Sequence, residues 1–485
     1  MIYVVACVAA IAGLLFGYDE GIIAGALAPL HARFDIPPLQ EGLMTASVPL
    51  GALAGTLTAG WLAAPLGRRK LLLGAAVLFI SGALICAIAP SILVISLGRL
   101  LLGLAIGIAA MVAPLYIAET APAAQRGMLV SIYQLAITLG IFGAYLVGFA
   151  AGDSWRVLFA TAAVPGIMLL VGVARLSDTP RWLVLRGRGE EARKALARIR
   201  GLSTGDSAVA KEIAAITAAA RDETGSWKNL TGPVARPALV VGMGLFLLQQ
   251  LSGINAVIYF APTVFEHAGF SETGVQLLAT VGLGAVNVVM TLVAMALIDR
   301  IGRRLLLFIG FAGAALSLGL IAFAAGTGSD QLQILSLVGL VVYIAAFAVA
   351  LGPLPWVMMS EIFPLHLRGP GMGAASLTNW TFNVLVVLTF PLLLDRLGLA
   401  GVFAIYAAVC VAGLFFTARW VPETSGLTLE EIEAHLKAGK PFRRLGETQA
   451  SGAAADVNIA PLPPAAVSSP VATAESVLGP GVGRS

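Results

Sequence analysis

Glu119-Thr-Ala-Pro122-Ala-Ala-Gln-Arg126-Gly127 returns, in outline, as Glu361-Ile-Phe-Pro364-Leu-His-Leu-Arg368-Gly369. Upstream of each copy stands a Gly-Arg-Arg, at Gly67–Arg69 and at Gly302–Arg304. Downstream of each stands an acid beside a proline, in Asp178-Thr179-Pro180-Arg181 and in Pro422-Glu423-Thr424. One such agreement is plausible by chance; three in the same order mark a half-chain used twice in the same orientation. Two like-oriented halves with a site between them near the bilayer midplane are a transporter architecture.

The chain around these motifs has 485 residues, 58% of them hydrophobic and 12% charged, with a mean hydropathy of +0.92. Soluble domains are about 45–50% apolar and about 25% charged. Apolar runs long enough to cross a hydrocarbon core recur from end to end. The spacing predicts an all-α polytopic membrane protein with twelve spans, near 2–29, 41–63, 71–89, 91–117, 126–151, 155–175, 236–267, 273–298, 304–325, 331–361, 367–394 and 401–420. A β-barrel would alternate polar and apolar residues over short segments, and these runs do not. The expected organisation is a six-helix bundle over 1–175, a helical linker over 176–235, a second six-helix bundle over 236–420 and a tail over 421–485. Residues 190–200 and 208–220 have helical composition, and the Ala/Pro/Ser/Gly composition after about 442 predicts disorder.

The net charge is +4, but its placement excludes a nucleic-acid groove. Arg33, Arg156 and Arg396 fall in loops on one side, Arg99 falls within a span, and every other basic residue falls on the other side. That bias places both termini in the cytoplasm. The first apolar run lacks a basic leader and a small-residue cleavage site, so it is expected to be helix 1 and not a removed signal. The three cysteines, Cys7, Cys86 and Cys410, share no close spacing and predict neither a disulfide set nor a metal site. The four histidines are scattered, and no nucleophile motif points to an enzyme.

Leu15–Leu30, LFGYDEGIIAGALAPL, carries Asp19 and Glu20 inside an apolar run. A carboxylate near the middle of a span costs about 2.5–3.5 kcal/mol on insertion scales. It persists by facing a cavity, finding a partner or taking up a proton. Arg99, near the start of the fourth span, is the candidate partner of Asp19. Glu20 is rotated by about 100° from Asp19 on a helix, and its role is open. The spans also hold a set of amides: Gln134, Gln249, Gln250, Asn255, Asn287, Asn379 and Asn383. Each amide offers donors and an acceptor, as every hydroxyl of a neutral polyol requires. Trp356 and Trp380 offer flat apolar faces to a sugar ring. The competing reading of any one amide is a helix–helix hydrogen bond. Gly253, within Ser252–Ala261, predicts a break at which the seventh span bends.

The motifs together resemble the sugar porter family of the major facilitator superfamily. They are Gly67-Arg68-Arg69, Pro114-Leu115-Tyr116-Ile117-Ala118-Glu119, Arg126-Gly127, Thr179-Pro180-Arg181-Trp182-Leu183, Gln249-Gln250-x2-Gly253-Ile254-Asn255, Asp299-Arg300-x-Gly302-Arg303-Arg304, Gly352-Pro353-x-Pro355-Trp356 and Val421-Pro422-Glu423-Thr424. The resemblance implies the major facilitator fold, two six-helix bundles that rock about a central monosaccharide site lined by the amides, Tyr259 and the two tryptophans. It implies salt bridges that close the cytoplasmic side, from Arg68, Arg69, Glu119, Arg126, Asp178 and Arg181 in one half and Asp299, Arg303, Arg304, Glu361, Arg368 and Glu423 in the other. It also implies that Asp19 and Arg99 couple sugar to a proton, with no cofactor and no metal, in a monomer of the bacterial inner membrane.

Several positions depart from the family pattern. Ala64 and Pro65 replace the usual polar residue and arginine before Gly67, which predicts a weaker latch in the first half. The usual Pro-Glu of the first half is here Ser177-Asp178. Ala348 stands where animal facilitators often carry glutamate, and Asp19 where they carry asparagine, which favours the proton-symport branch. A sugar uniporter, a cyclitol or organic-ion carrier, and a transporter-like nutrient sensor are the alternatives.

Overall fold

The computed structural model describes residues 2–121, 126–221, 230–232, 235–363, 367–427, 429–438 and 441–445. All regular structure among the described residues is helical. The first six spans are the unbroken helices α1 (Ile2–Phe34), α2 (Pro38–Leu66), α3 (Arg68–Ile88), α4 (Ile92–Thr120), α5 (Arg126–Ala151) and α6 (Trp155–Ala174). Three shorter helices follow: α7 (Pro180–Leu185), α8 (Gly189–Arg200) and α9 (Ser207–Arg221). Trp182, Leu183, Ala192 and Ala195 form a small apolar core for α7 and α8.

The second set of spans is less regular. The seventh is split at Gly253 into α10 (Arg236–Leu251) and α11 (Ile254–His267). Then come α12 (Thr273–Ile301) and α13 (Arg303–Gly326). The tenth span is α14 (Leu332–Ala346), a π-helical turn over Phe347–Leu351, and α15 (Leu354–Ile362). The last helix, α16 (Arg368–Trp420), has 53 residues and turns at Gly398, where φ is +62°. At about 1.5 Å per residue it is more than twice the roughly 30 Å of a hydrocarbon core, so it supplies the eleventh and twelfth spans. Twelve crossings put both ends of the bundle on one side. A short helix, α17 (Leu429–Lys437), and a 3₁₀ turn over Phe442–Arg444 close the description, so order extends slightly past the expected limit near 442. The disorder expected farther along lies outside the described residues.

Small residues set the packing of the first half. Gly13, Gly17, Gly21 and Gly25 recur every fourth residue on α1 and face α5. A Cβ at Gly17 would fall on the carbonyl oxygen of Ile137, and one at Gly13 would lie 2.5 Å from that of Tyr133. Gly51 and Gly55 on α2 mesh in the same way with Gly103 and Gly107 on α4. In lipid, where apolar burial between helices drives little, this close backbone approach supplies the association. α4 also lies against α1, and Asp19 meets Arg99 at that contact.

The two halves touch through α1 on α11, α2 on α16 and α5 on α12. A Cβ at Gly42, near the start of α2, would fall on the carbonyl oxygen of Leu388, and one at Gly284 would lie 2.8 Å from the Tyr145 ring. These approaches lie at the end of the bundle away from the Arg/Glu motifs.

Gly17→Val is expected to destabilise the protein by about 3 kcal/mol, because α1 and α5 must separate. Gly143→Ala, also in α5 but with nothing within 4 Å of the new Cβ, serves as the control. Thermal unfolding in detergent checks both, and equal midpoints for the two variants would remove the seam from the stability of the bundle.

Candidate transport site and gate networks

Asp19 and Arg99 are brought together in the core of the first half. Arg99 is 0% and Asp19 1% exposed. Their nearest charged atoms, Nη1 and Oδ1, are 3.9 Å apart. Neither carboxylate oxygen has a hydrogen-bond partner, and neither do the two terminal guanidinium nitrogens. Arg99 is held instead through Nε, which donates to the Met44 carbonyl of α2 at 3.2 Å. The pair is thus a Coulombic contact at its outer range. At 4 Å and an effective dielectric near 20 such a contact is worth about 4 kcal/mol, and α4 keeps its tie to α2 whatever Asp19 does.

The amides form a connected chain in the second half. Asn255 Nδ2 donates to Gln250 Oε1 at 2.6 Å, and Gln250 Nε2 donates to Asn379 Oδ1 at 2.6 Å. This ties α10, α11 and α16 together across the break at Gly253. That glycine has φ of +88°, and a Cβ there would fall on the Tyr406 ring. Asn383 Oδ1 and the Tyr259 hydroxyl are buried without partners. Trp380 is buried with its ring 5.3 Å from Phe16 of α1, and Trp356 stands edge-on to Phe246 at 4.7 Å. Asn287 lines a small cavity with Tyr145, Ile258 and Leu283, and Gln134 is half-buried on α5.

Gln249 stands apart from that chain. Its Nε2 donates to the carbonyls of Leu351 and Gly352, at 2.6 and 3.1 Å. Pro355 has no N–H to give Leu351, four residues earlier, so that carbonyl needs another donor. Gln249 supplies it, and only its oxygen is left unpartnered. Pro262 likewise deprives Ile258, and the Tyr145 hydroxyl donates to that carbonyl at 2.8 Å. Tyr145 is on α5, so this bond joins the two halves. Sequence reading passed over Tyr145; the signal was a proline four residues after a carbonyl that no helix bond can serve.

The Arg/Glu motifs build two matching corners. In the first, Arg68 Nη2 meets Glu119 Oε1 at 2.7 Å, and Thr179 Oγ1 donates to Glu119 Oε2 at 2.5 Å. In the second, Arg303 Nη2 meets Glu361 Oε1 at 2.9 Å, and Thr424 Oγ1 donates to Glu361 Oε2 at 2.6 Å. Asp178 and Glu423 serve backbone here. Asp178 Oδ1 accepts from the Arg68 and Arg69 N–H at 2.9 and 3.4 Å. Glu423 accepts from the Arg303 and Arg304 N–H, both at 3.0 Å. Each acid satisfies orphan donors at a helix N-terminus. Gly67 and Gly302, at φ of +85° and +91°, make the turns, and a Cβ on either would crowd the acid. Arg69 and Arg304 donate to carbonyls, those of Ala174 and Ala418. The second corner adds Asp299, 3.0 Å from Arg303 but 82% exposed, so the extra pair contributes little. Arg181 follows Pro180 in α7. The side chains of Arg126 and Arg368 lie outside the described residues.

Two like halves of six spans around a buried polar centre define a polytopic carrier. The chain belongs to the sugar (and other) transporter family: a family model of that description matches residues 5–436. It is 40% identical to a D-xylose transporter of Levilactobacillus brevis, over 88% of this chain and 94% of the relative. It is 39% identical to a galactose-proton symporter of Escherichia coli (strain K12), over 92% and 97%. Its fold is similar to the xylose transporter XylE from E. coli in a partially occluded inward open conformation, with a TM-score of 0.77 and 30% identity over 88% of this chain and 99% of that one.

Tyr145→Phe leaves the Ile258 carbonyl unsatisfied, which costs about 1–3 kcal/mol. Spin labels at Leu39 and Val275, both exposed and on opposite halves, are expected to show a larger long-distance population in the variant. An unchanged distance distribution would mean that the bond does not hold the halves together.

Proposed function

We propose that this chain imports a monosaccharide together with a proton by alternating access, as a monomer with both termini in the cytoplasm. The carrying observation is the buried Asp19–Arg99 pair, in contact range yet without a hydrogen bond, beside a polar chain suited to a polyol. Protonation of Asp19 removes its attraction to Arg99. Arg99 stays tied to Met44, so α1 is the element released while α2 and α4 remain joined. α1 faces both α5 and α11, and its freedom bears directly on how the halves meet. A proton crossing 100 mV supplies about 2.3 kcal/mol of driving force. The same-name galactose-proton and xylose relatives support this reading, and a family of transporters leaves no role for enzyme chemistry.

In this reading Gln250, Asn255, Asn287, Asn379, Asn383, Tyr259, Trp356 and Trp380 line the sugar site with Gln134. Gln249 shapes it by holding the π turn in place. The two Arg/Glu corners lie at the cytoplasmic face, and the sealed end holding Tyr145 faces outward. The corners act within each half, keeping its inner end rigid. A state-dependent contact needs a difference of only a few kcal/mol to shift the balance between the two orientations.

Sugar added to de-energised proteoliposomes is expected to draw protons inward and alkalinise the external medium. Sugar entry without that alkalinisation assigns facilitated diffusion. Asp19→Asn is expected to exchange labelled sugar across the membrane but to lose uphill accumulation; accumulation at the wild-type level removes Asp19 from the coupling step.

A further inference from the structure

Glu20 takes no part in the mechanism above, yet it is 4% exposed in the middle of α1. It lies four residues after Phe16, so the two share one helix face. Phe16 touches Trp380 of the opposite half, which turns that face toward the centre of the molecule. Asp19, one residue earlier, points to α4 instead.

The charges around Glu20 do not balance. Two carboxylates stand next to each other, and Arg99 is the one guanidinium in this part of the bundle among the described residues. Arg99 is engaged with Asp19 and Met44. Glu20 has neither an ion pair nor a hydrogen bond among the described residues. Within its electrostatic range stand Asp19 on α1, Tyr133 and Tyr145 on α5, and Tyr259 on α11, while Arg99 on α4 faces Asp19. Tyr18 turns away to Thr161 of α6. Tyr145 is spent on Ile258, but the hydroxyls of Tyr133 and Tyr259 are buried without partners. An unpaired charge in such surroundings is costly, whereas a neutral carboxyl group is not. A carboxyl group that keeps its proton both donates and accepts a hydrogen bond. An acid without a hydrogen bond and two unpartnered hydroxyls within its electrostatic range are a half-completed set that a polyol hydroxyl would complete.

We infer that Glu20, as a neutral carboxyl group, is a sugar-contacting residue that selects for one ring hydroxyl, with Tyr259 opposite it. The inference rests on the carrier reading and deepens it.

The test uses purified full-length protein with D-galactose and D-xylose as probes, followed by the monodeoxy series of whichever binds. Wild type is expected to lose about tenfold in affinity for one deoxy analogue, the scale of one buried hydrogen bond. Glu20→Leu should bind the parent sugar about tenfold more weakly and no longer distinguish that analogue from it. Glu20→Gln, which keeps a donor and an acceptor in the same shape, should restore the discrimination. If Glu20→Gln fails to restore what Glu20→Leu removes, the inference is overturned. It is also overturned if folded Glu20→Leu discriminates among the analogues as wild type does. If wild type itself neither binds nor transports either sugar, the carrier reading fails first, and that result is distinct from the others.

Discussion

In a medium without water, every backbone carbonyl freed by a proline must find a donor within the protein. Much of the second half follows from that constraint. Pro355 frees Leu351, and Gln249 reaches across from the seventh span to serve it. Pro262 frees Ile258, and Tyr145 reaches across from the first half. The helix breaks are therefore also the points at which separate spans are tied. One break binds the seventh span to the tenth, the other binds one half to the other, and the amide chain through Gln250 lies between them.

The polar centre applies the same constraint to side chains. Asp19 and Arg99 neutralise one another at a distance that lacks a hydrogen bond, and Arg99 fixes its own position through a backbone carbonyl. The acid is thereby the freer member. A charge held by attraction alone is released by one proton, whereas a bidentate pair would resist that change. The glycine seams of α1 with α5 and of α2 with α4 make this geometry possible by bringing the backbones within contact.

Much of this was legible in the sequence. Apolar runs and basic residues located the spans, and the duplicated Glu-Pro-Arg-Gly motif gave the two halves. The gap expected between residues 394 and 401 is a single turn at Gly398 within α16. Asp19 stood out by its cost and Arg99 as its answering charge, but the Met44 tie could not be read, since a carbonyl leaves no mark in a sequence. Gln249 and Gln250 are neighbours and looked equivalent, yet one serves a proline-freed carbonyl and the other an amide chain. Asp178 and Glu423 looked like partners for arginine side chains and instead accept from helix N-termini. The threonine after each acid was part of the quoted repeat, and its contact with Glu119 or Glu361 emerges only when the corners fold.

The breaks are not shared equally. α1 to α6 run without interruption, while Gly253, the distorted turn at Phe260 and the π turn at Phe347–Leu351 all fall after the linker. Each half is tied at its corner into a closed hoop, since Glu119 and Glu361 each join the start of a third span to the segment leaving the sixth. Duplication thus produced two hoops of the same outline and unequal stiffness. The first has unbroken members. The second is the same hoop with joints in its seventh and tenth members. Bending within single helices is accordingly concentrated in one copy of a repeated design, and the helices of the other copy move as unbroken rods.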